Sequence, residues 1–331
     1  MEPTPFRNRL GMTRRQVVAA GGLMLAGGGV RAQTYPAQPI KYLVGFQAGG
    51  GSDQIGRSLA TVLSGLLGQA MPVENKAGAT GLLALDALNA APPDGHTVLQ
   101  LADTTTNSVA FSGRSFDFDR RFQVVGRFVV TPLVLVVNPK LVNVRNVSEF
   151  VEYARRNPGL AYTSSGPGSP SNLMMEALSK QLKLSMTHIP YKGSGPAILD
   201  VIGGQLGVMV ADGITARQHI RSGALRPVAV TSSFRTPVAP GTSTATEQGF
   251  PTLSNEPAVY LVVHPKTPSA VVARLRQVLS EATLAEAKAE EQRMTGLRYA
   301  YLDGPQARDQ LQKDFDHTSR LIKEFNIKVT E

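Results

Sequence analysis

The chain has 331 residues, 42% apolar and 18% charged, enough apolar material for two cores of ordinary size and too little charge for general disorder. Lysine and arginine number 34 against 25 acidic residues, a formal charge of +9. Cysteine is absent, which excludes disulfides, Fe–S clusters, thiolate zinc sites and cysteine nucleophiles; with no tryptophan and 6% aromatics, extended stacking surfaces for single-stranded nucleic acid are excluded as well.

Residues 1–32 read as an export signal. Arg7, Arg9, Arg14 and Arg15 form a basic start, Val17 to Val30 is an uncharged run, and Val30-Arg31-Ala32 offers a cleavage site before Gln33. The run is shorter than the ~20 apolar residues a membrane span wants. Thr13-Arg14-Arg15-Gln16-Val17-Val18 resembles a twin-arginine signal, and an ordinary secretory signal is the alternative. This segment holds five arginines and one glutamate, so residues 33–331 carry about +5 with no run of like charges. Scattered charge of that size gives no footprint for nucleic acid.

Beyond the signal, strand-like and helix-like segments alternate. Ile40–Phe46 predicts a strand, and a helix follows with Ile55, Leu59, Val62, Leu63 and Leu66 on one face and Ser52 or Asp53 as N-cap. Gly78–Ala90 reads as a second helix and Thr97–Ala102 as a strand. Leu133–Val137 is a wholly apolar strand, and Ser148 caps a helix that runs to Arg156. Leu160–Thr163 is a strand, and the helix after it carries Leu173, Ala177, Leu178 and Leu182 inward. Ile198–Gly203 lies in a helix, Leu206–Ala211 is a strand, and Leu225–Val230 is a strand that Pro227 assigns to an edge or a strand start. Val259–Val263 is the last clear strand, and from Ser269 the chain is mostly helix. This alternation predicts an α/β protein with mainly parallel sheets, with ligands held outside the carboxyl ends of the strands.

Three segments have the composition of ligand loops. Ala48-Gly49-Gly50-Gly51-Ser52-Asp53 lets backbone approach a ligand at a helix start, a setting suited to anions. It is not a nucleotide loop, because no Gly-Lys-Ser/Thr follows and Gln54 stands where G-x-G-x-x-G needs glycine. Ser164-Ser165-Gly166-Pro167-Gly168-Ser169-Pro170-Ser171 places four hydroxyls before a helix, a donor set for a carboxylate or other small oxyanion. In the third, Tyr191 and Ser194 are candidates to line a pocket, and Lys192 reads as a solvated surface lysine. A tight turn or a well-capped helix with no ligand is the plain alternative for each loop. Catalytic signals are weak: no G-x-S-x-G elbow occurs, and His96, His188, His219, His264 and His317 show no metal-ligand spacing.

Together the motifs carry a resemblance. Phe46-x-Ala48-Gly49-Gly50-Gly51-Ser52-Asp53, Val73-Glu74-Asn75-Lys76-x-Gly78-Ala79-x-Gly81 and Pro92-x-Asp94-Gly95-His96-Thr97 resemble the Bug family, the extracytoplasmic solute-binding proteins of tripartite tricarboxylate transporters. The match continues through Gly166-x-Gly168-Ser169-Pro170-Ser171, through Met186 to Ala197, and at Gly203-Gly204-Gln205. The resemblance implies a two-domain, periplasmic-binding-protein-like (type II) α/β fold with the ligand in the cleft between domains. Domain one would be residues 33–138 plus 256–331, and domain two 139–255. It implies a ligand carboxylate on Ser164, Ser165, Gly166 and Ser169, covered by Phe46, Ala48, Gly49 and Asp53, with Tyr191, Ser194 and Asp212 completing the walls. It further implies a periplasmic monomer without cofactor or metal, a small carboxylate ligand, and a partner that is a membrane permease or a sensor domain, with no role for nucleic acid. An exported hydrolase or isomerase on the same scaffold is the alternative. The family often has proline on both sides of the phenylalanine, where this chain has Gly45 and Gln47, and histidine where it has Asn172.

Overall fold

The computed structural model describes residues 35–113, 116–191 and 193–327, so the expected export signal lies outside the described residues. Two sheets organise residues 38–327. The first comprises β1 (Lys41–Val44), β2 (Val73–Asn75), β3 (Thr97–Ala102), β4 (Gln123–Val130), β10 (Ala258–Val263) and β11 (Arg298–Asp303) in the order β11-β4-β10-β3-β1-β2. The second comprises β5 (Leu133–Val137), β6 (Leu160–Ser164), β7 (Met186–Pro190), β8 (Val208–Asp212) and β9 (Arg226–Val230) in the order β7-β6-β8-β5-β9.

Both sheets share one plan. β1 pairs in parallel with β2 and β3, and β6 with β7 and β8. The strand made just after the chain changes sheets, β5 or β10, then inserts antiparallel. The sheets are therefore mixed rather than mainly parallel. Both inserted strands, LVLVV and AVYLVV, are buried along their whole length, as central strands covered on both faces must be. The expected boundary after residue 138 would separate β5 from the strands it bonds to; the passage from one sheet to the other falls at Thr131 and Pro132.

Helices cover both faces of each sheet. On the first, α2 (Leu82–Ala90) and α10 (Gly304–Glu324) enclose Leu43, Leu99, Leu101, Tyr260 and Val262. α1 (Gly51–Leu67) and α9 (Ser269–Arg293) pack on each other and on the same sheet, with Ile55, Leu59 and Leu63 buried at helical spacing. Two short helices, α3 (Asp103–Phe111) and α4 (Phe118–Arg121), connect β3 to β4. On the second sheet, α5 (Val147–Arg156) and α6 (Pro170–Gln181) bury one face, and α7 (Ser194–Ile202) and α8 (Gly213–Arg221) the other. Each fully buried Leu, Phe or Val side chain contributes about 1.5–3 kcal/mol.

Several local expectations shift. α1 starts at Gly51 with Gly50 as N-cap, so Ser52 and Asp53 lie inside its first turn. α5 is capped by Asn146, which accepts from Glu149 N, rather than by Ser148. The segment from Gly78 opens with a 3-10 turn, Ala79–Gly81, before α2. β2, β4, β7 and β11 were not expected as strands; β11 lies beyond the strand read as the last. Pro227 does sit in an edge strand.

Candidate functional site

The carboxyl ends of β1, β3, β6, β7 and β8 each feed a helix or a glycine-rich turn, so the candidate loops are set at strand ends by topology. Gly45 lies so close to the turn after β2 that a Cβ there would stand 2.8 Å from Gly81 Cα. Gly81, at φ 90°, in turn lies against Thr105, whose Oγ1 would be 2.5 Å from a Cβ at that position. This stack locks the loops after β1, β2 and β3 together. A side chain at position 45 would therefore have to displace the Gly81 backbone.

The glycine loop is held from inside by Asp53, whose carboxylate accepts from Gly49 N (2.8 Å), Arg57 Nε (2.9 Å) and Asn75 Nδ2 (2.9 Å). Asn75 Nδ2 also donates to Phe46 O at 3.0 Å, so both ends of the loop are tied to one point. Burial works to raise the Asp53 pKa, but the hydrogen bonds from Arg57, Gly49 and Asn75 outweigh it and hold the group below the usual aspartate range. Asp53 is thus a brace turned inward, while Ala48 and Gly49 are exposed. Asn75, part of a quoted motif but given no role, is the residue that sequence reasoning missed here.

The serine loop is also largely self-satisfied. Ser169 caps α6 by accepting from Asn172 N, and its hydroxyl donates to Gly166 O at 2.7 Å. Gly166 N donates to Ser164 Oγ (3.2 Å), Gly168 N to Asn172 Oδ1 (3.1 Å) and Ser165 N to Ser171 Oγ (3.4 Å). Ser164, Ser169 and Ser171 are buried, and Ser165 is half-buried, with its Oγ 3.3 Å from Ser171 Oγ. Asn172 reaches on to Tyr162 Oη (3.1 Å), which donates to Glu176 Oε1 (2.7 Å). Ser164 Oγ stands 2.8 Å from His188 Nε2, but at 0% exposure it presents no nucleophile to a substrate.

Two groups of expected residues come together. The turn after β7 docks on the serine loop: Gly193 N donates to Ser165 O at 3.0 Å, and Tyr191 O would lie 3.0 Å from a Cβ on Gly166. Ser194 opens α7 beside it. Tyr191 Oη donates to Asp200, which raises the tyrosine pKa. Lys192 lies outside the described residues. Across the two sheets, Gly51 at the start of α1 faces Ile214 at the start of α8, with 3.6 Å between a Cβ built on Gly51 and Ile214 Cδ1. Asp212 caps α8 by accepting from Thr215 N at 2.9 Å. No group of three or more His, Asp or Glu among the described residues is placed to hold a metal ion, and no helix among them is long and apolar enough to cross a membrane. A cavity of about 440 Å³ lies at the opposite end of the first sheet, where Arg308 is already paired with Asp119 at 3.0 Å.

Residues 55–327 match the model of the tripartite tricarboxylate transporter family receptor. The chain belongs to this family. It is 30% identical to protein BugT of Bordetella pertussis, over 96% of this chain and all of the relative. Its structure is similar to periplasmic binding protein BugD, with a TM-score of 0.77 and 27% identity over 89% of this chain and 99% of the other. MatC of Rhodopseudomonas palustris, solved with bound malate, gives a TM-score of 0.74 and 25% identity over 87% of this chain and all of the other. The two-domain, periplasmic-binding-protein-like fold is therefore the fold of this receptor, and its relatives are solute-binding proteins rather than enzymes.

Proposed function

We propose that the chain is exported to the periplasm, where it closes two domains over a small carboxylate and delivers it to the membrane permease of a tripartite tricarboxylate transporter. The observation that carries this reading is the approach of Gly51 to Ile214, which brings the starts of α1 and α8, on different sheets, face to face. Helix starts offer N–H groups and the positive end of the helix dipole, and both favour an anion, with one N–H of α8, that of Thr215, already taken by Asp212. Around them Ser165 and Ser194 supply hydroxyls, and the loops after β1 supply exposed backbone. The bound malate of MatC supports the ligand class. The domains divide at the two crossings, near Thr131–Pro132 and near Glu256–Pro257. There Thr131 N and Oγ1 both donate to Pro257 O, at 2.7 and 2.9 Å, and make a short two-stranded hinge.

A thermal-shift screen of the purified chain tests this reading, with malate, other mono- and dicarboxylates, amino acids, amides and sugars. A ligand at 100 times its Kd stabilises the folded state by about 2.7 kcal/mol, a shift easily seen. A carboxylate response is the expected outcome. A response confined to neutral compounds overturns the anion reading, and release of a chemically altered product overturns the assignment as a binding protein.

A further inference from the structure

Beside the hinge, away from the glycine and serine loops, the two domains meet again at the turn Met294-Thr295-Gly296, which leads from α9 into β11. Met294 ends α9 in the left-handed region (φ 49°), and its N–H donates to Glu290 O at 2.7 Å. The rest of the turn is tied to the Glu290 carboxylate. Gly296 N donates to Oε1 at 2.9 Å, and the Thr295 hydroxyl, with one proton to give, stands 2.7 and 2.8 Å from the two oxygens. Glu290 is 9% exposed, so water is poorly placed to replace these bonds. Arg293, the last residue of α9, fixes the same end by donating to Ser58 Oγ on α1 (2.9 Å) and to Glu286 Oε2 (2.7 Å). The turn is thus a braced block of domain one.

Domain two fits this block without slack. A Cβ built on Gly296 would overlap Val238 Cγ2, and one on Gly213, the first residue of α8, would stand 3.1 Å from the same methyl and 3.4 Å from Thr295 O. The Val238 side chain therefore takes the room that two glycines leave, one from each domain. Arg217 of α8 donates to Arg293 O at 2.6 Å, at the negative end of α9, where a cation is favoured. Arg298, at the start of β11, lies 4.5 Å from the centre of the Phe234 ring. The contact also adjoins the crossing between the domains. A Cβ on Gly213 would be 3.6 Å from Pro132 O, and Asp212 pairs with Leu133, just past that crossing. Rotation about the crossings moves atoms least here. β6, which carries the serine loop, lies beyond β8 from β5 and swings further.

We propose that this turn is the pivot of domain closure, and that Glu290, by bracing it, is a positioning residue for the α8 half of the binding site; the ligand half of this inference rests on the carboxylate reading above. Val238 stays seated between the glycines whether the cleft is open or closed. The spacing of the α1 and α8 starts, where Gly51 faces Ile214, is set from below, and the serine loop makes the larger movement.

The chain has no cysteine, so one disulfide can be placed at the pivot alone. A Cβ on Gly296 would lie 3.4 Å from Val238 Cβ, near the roughly 3.5–4.5 Å that a disulfide spans. Val238→Cys/Gly296→Cys, oxidised and reduced, is to be compared by small-angle X-ray scattering with and without malate and by calorimetry with malate. The expected result is the same change in radius of gyration in both forms, and malate Kd values within about twofold. An oxidised chain that no longer changes size, or that binds malate more tightly because it is held closed, overturns the pivot. Glu290→Gln needs no side chain at the φ of 87° of Gly296, and tests the positioning role by itself. It should raise malate Kd about fivefold, and much less in the oxidised chain, where the disulfide does the bracing. A lower melting temperature with unchanged Kd would mean that Glu290 is packing alone. If neither malate nor another carboxylate binds, the carboxylate reading falls, and the ligand-free chain still judges the pivot: equal size oxidised and reduced keeps it, and a more compact oxidised form overturns it.

Discussion

Replacing Asp53 with asparagine asks whether the glycine loop is held by a charge. The carboxylate takes three hydrogen bonds, from Gly49 N at 2.8 Å and from Arg57 Nε and Asn75 Nδ2 at 2.9 Å each. A hydrogen bond to a charged acceptor contributes about 1.5–3 kcal/mol. Gly49 and the Arg57 side chain are exposed, so water recovers part of what they lose and their share is nearer the 0–1 kcal/mol of a surface pair. The asparagine amide also turns a donor towards donors. A loss of about 2–3 kcal/mol is expected, roughly 4–10 °C in melting temperature for a chain of this size. The pH dependence gives the sharper test. The folded-state pKa of Asp53 is depressed, so its stabilisation is complete above the ordinary aspartate value of about 3.9 and is lost as pH falls below it. Urea unfolding from pH 2 to pH 7 should show wild type and variant converging at the acid end and separating above about pH 4. Equal stability at pH 7, or a constant gap at every pH, would refute the charged brace.

Ser165→Ala should leave the melting temperature unchanged and weaken the carboxylate found by screening, whereas Ser169→Ala loses the α6 N-cap and about 1 kcal/mol of stability; calorimetry and urea unfolding of the two variants separate these effects. Gly81→Ala puts a Cβ 2.5 Å from Thr105 Oγ1 at a φ of 90°, and should cost at least about 2 kcal/mol in urea unfolding. Asp103 accepts from Ala258 N at 3.0 Å, and its pKa is pushed up to about 7 by burial, opposed by that N–H and reinforced by Asp314. The native state then keeps a proton that the unfolded chain releases between about pH 4 and pH 7, so stability declines as pH rises through that window. Asp103→Asn keeps the acceptor and should be more stable than wild type at pH 8 by about 1 kcal/mol or more, with no gain at pH 4.

Much of the fold was legible because period and punctuation agree with it. Ile55, Leu59 and Leu63 announce α1, and an unbroken LVLVV announces a central strand. Three of the four strands that escaped notice lack such a pattern: β2 has three half-buried residues, and β7 and β11 are edge strands with polar residues along them, whereas β4, QVVGRFVV, is an internal strand whose apolar run is broken by Gly126 and Arg127. The caps were misplaced because several residues near each start have capping side chains, and a local sequence does not say which one folds back. The candidate loops were legible through glycine and serine, but their internal bonding was not. That Asp53 faces Asn75 across 22 positions, or Ser164 faces His188 across 24, is decided by sheet order. Asp53 and Ser164, expected as ligand contacts, are bonded within their own loops, and the Tyr191 hydroxyl is bonded to Asp200.

α6 shows how such support extends beyond the site. Its Met174, Met175 and Leu178 pack on the second sheet, while Leu173 and Ala177, one turn apart on another face, meet Ile327. Phe111, Leu321, Ile322 and Phe325, all from elements of the first sheet, surround that contact. The helix that carries the serine loop is thus clamped between the two sheets by an apolar cluster with no ligand in it. If the domains part when the site empties, this cluster must separate as well, and re-forming it contributes to closure. Burying a leucine is worth about 1.5–3 kcal/mol, and each 1.4 kcal/mol is a factor of ten in affinity. Leu173→Ala should therefore weaken the ligand about tenfold or more. It should lower the melting temperature of the ligand-free chain less than Leu178→Ala, whose side chain packs within one domain. A large loss of melting temperature with unchanged affinity would show instead that the cluster is permanent packing of the hinge, and that closure is driven by the ligand loops alone.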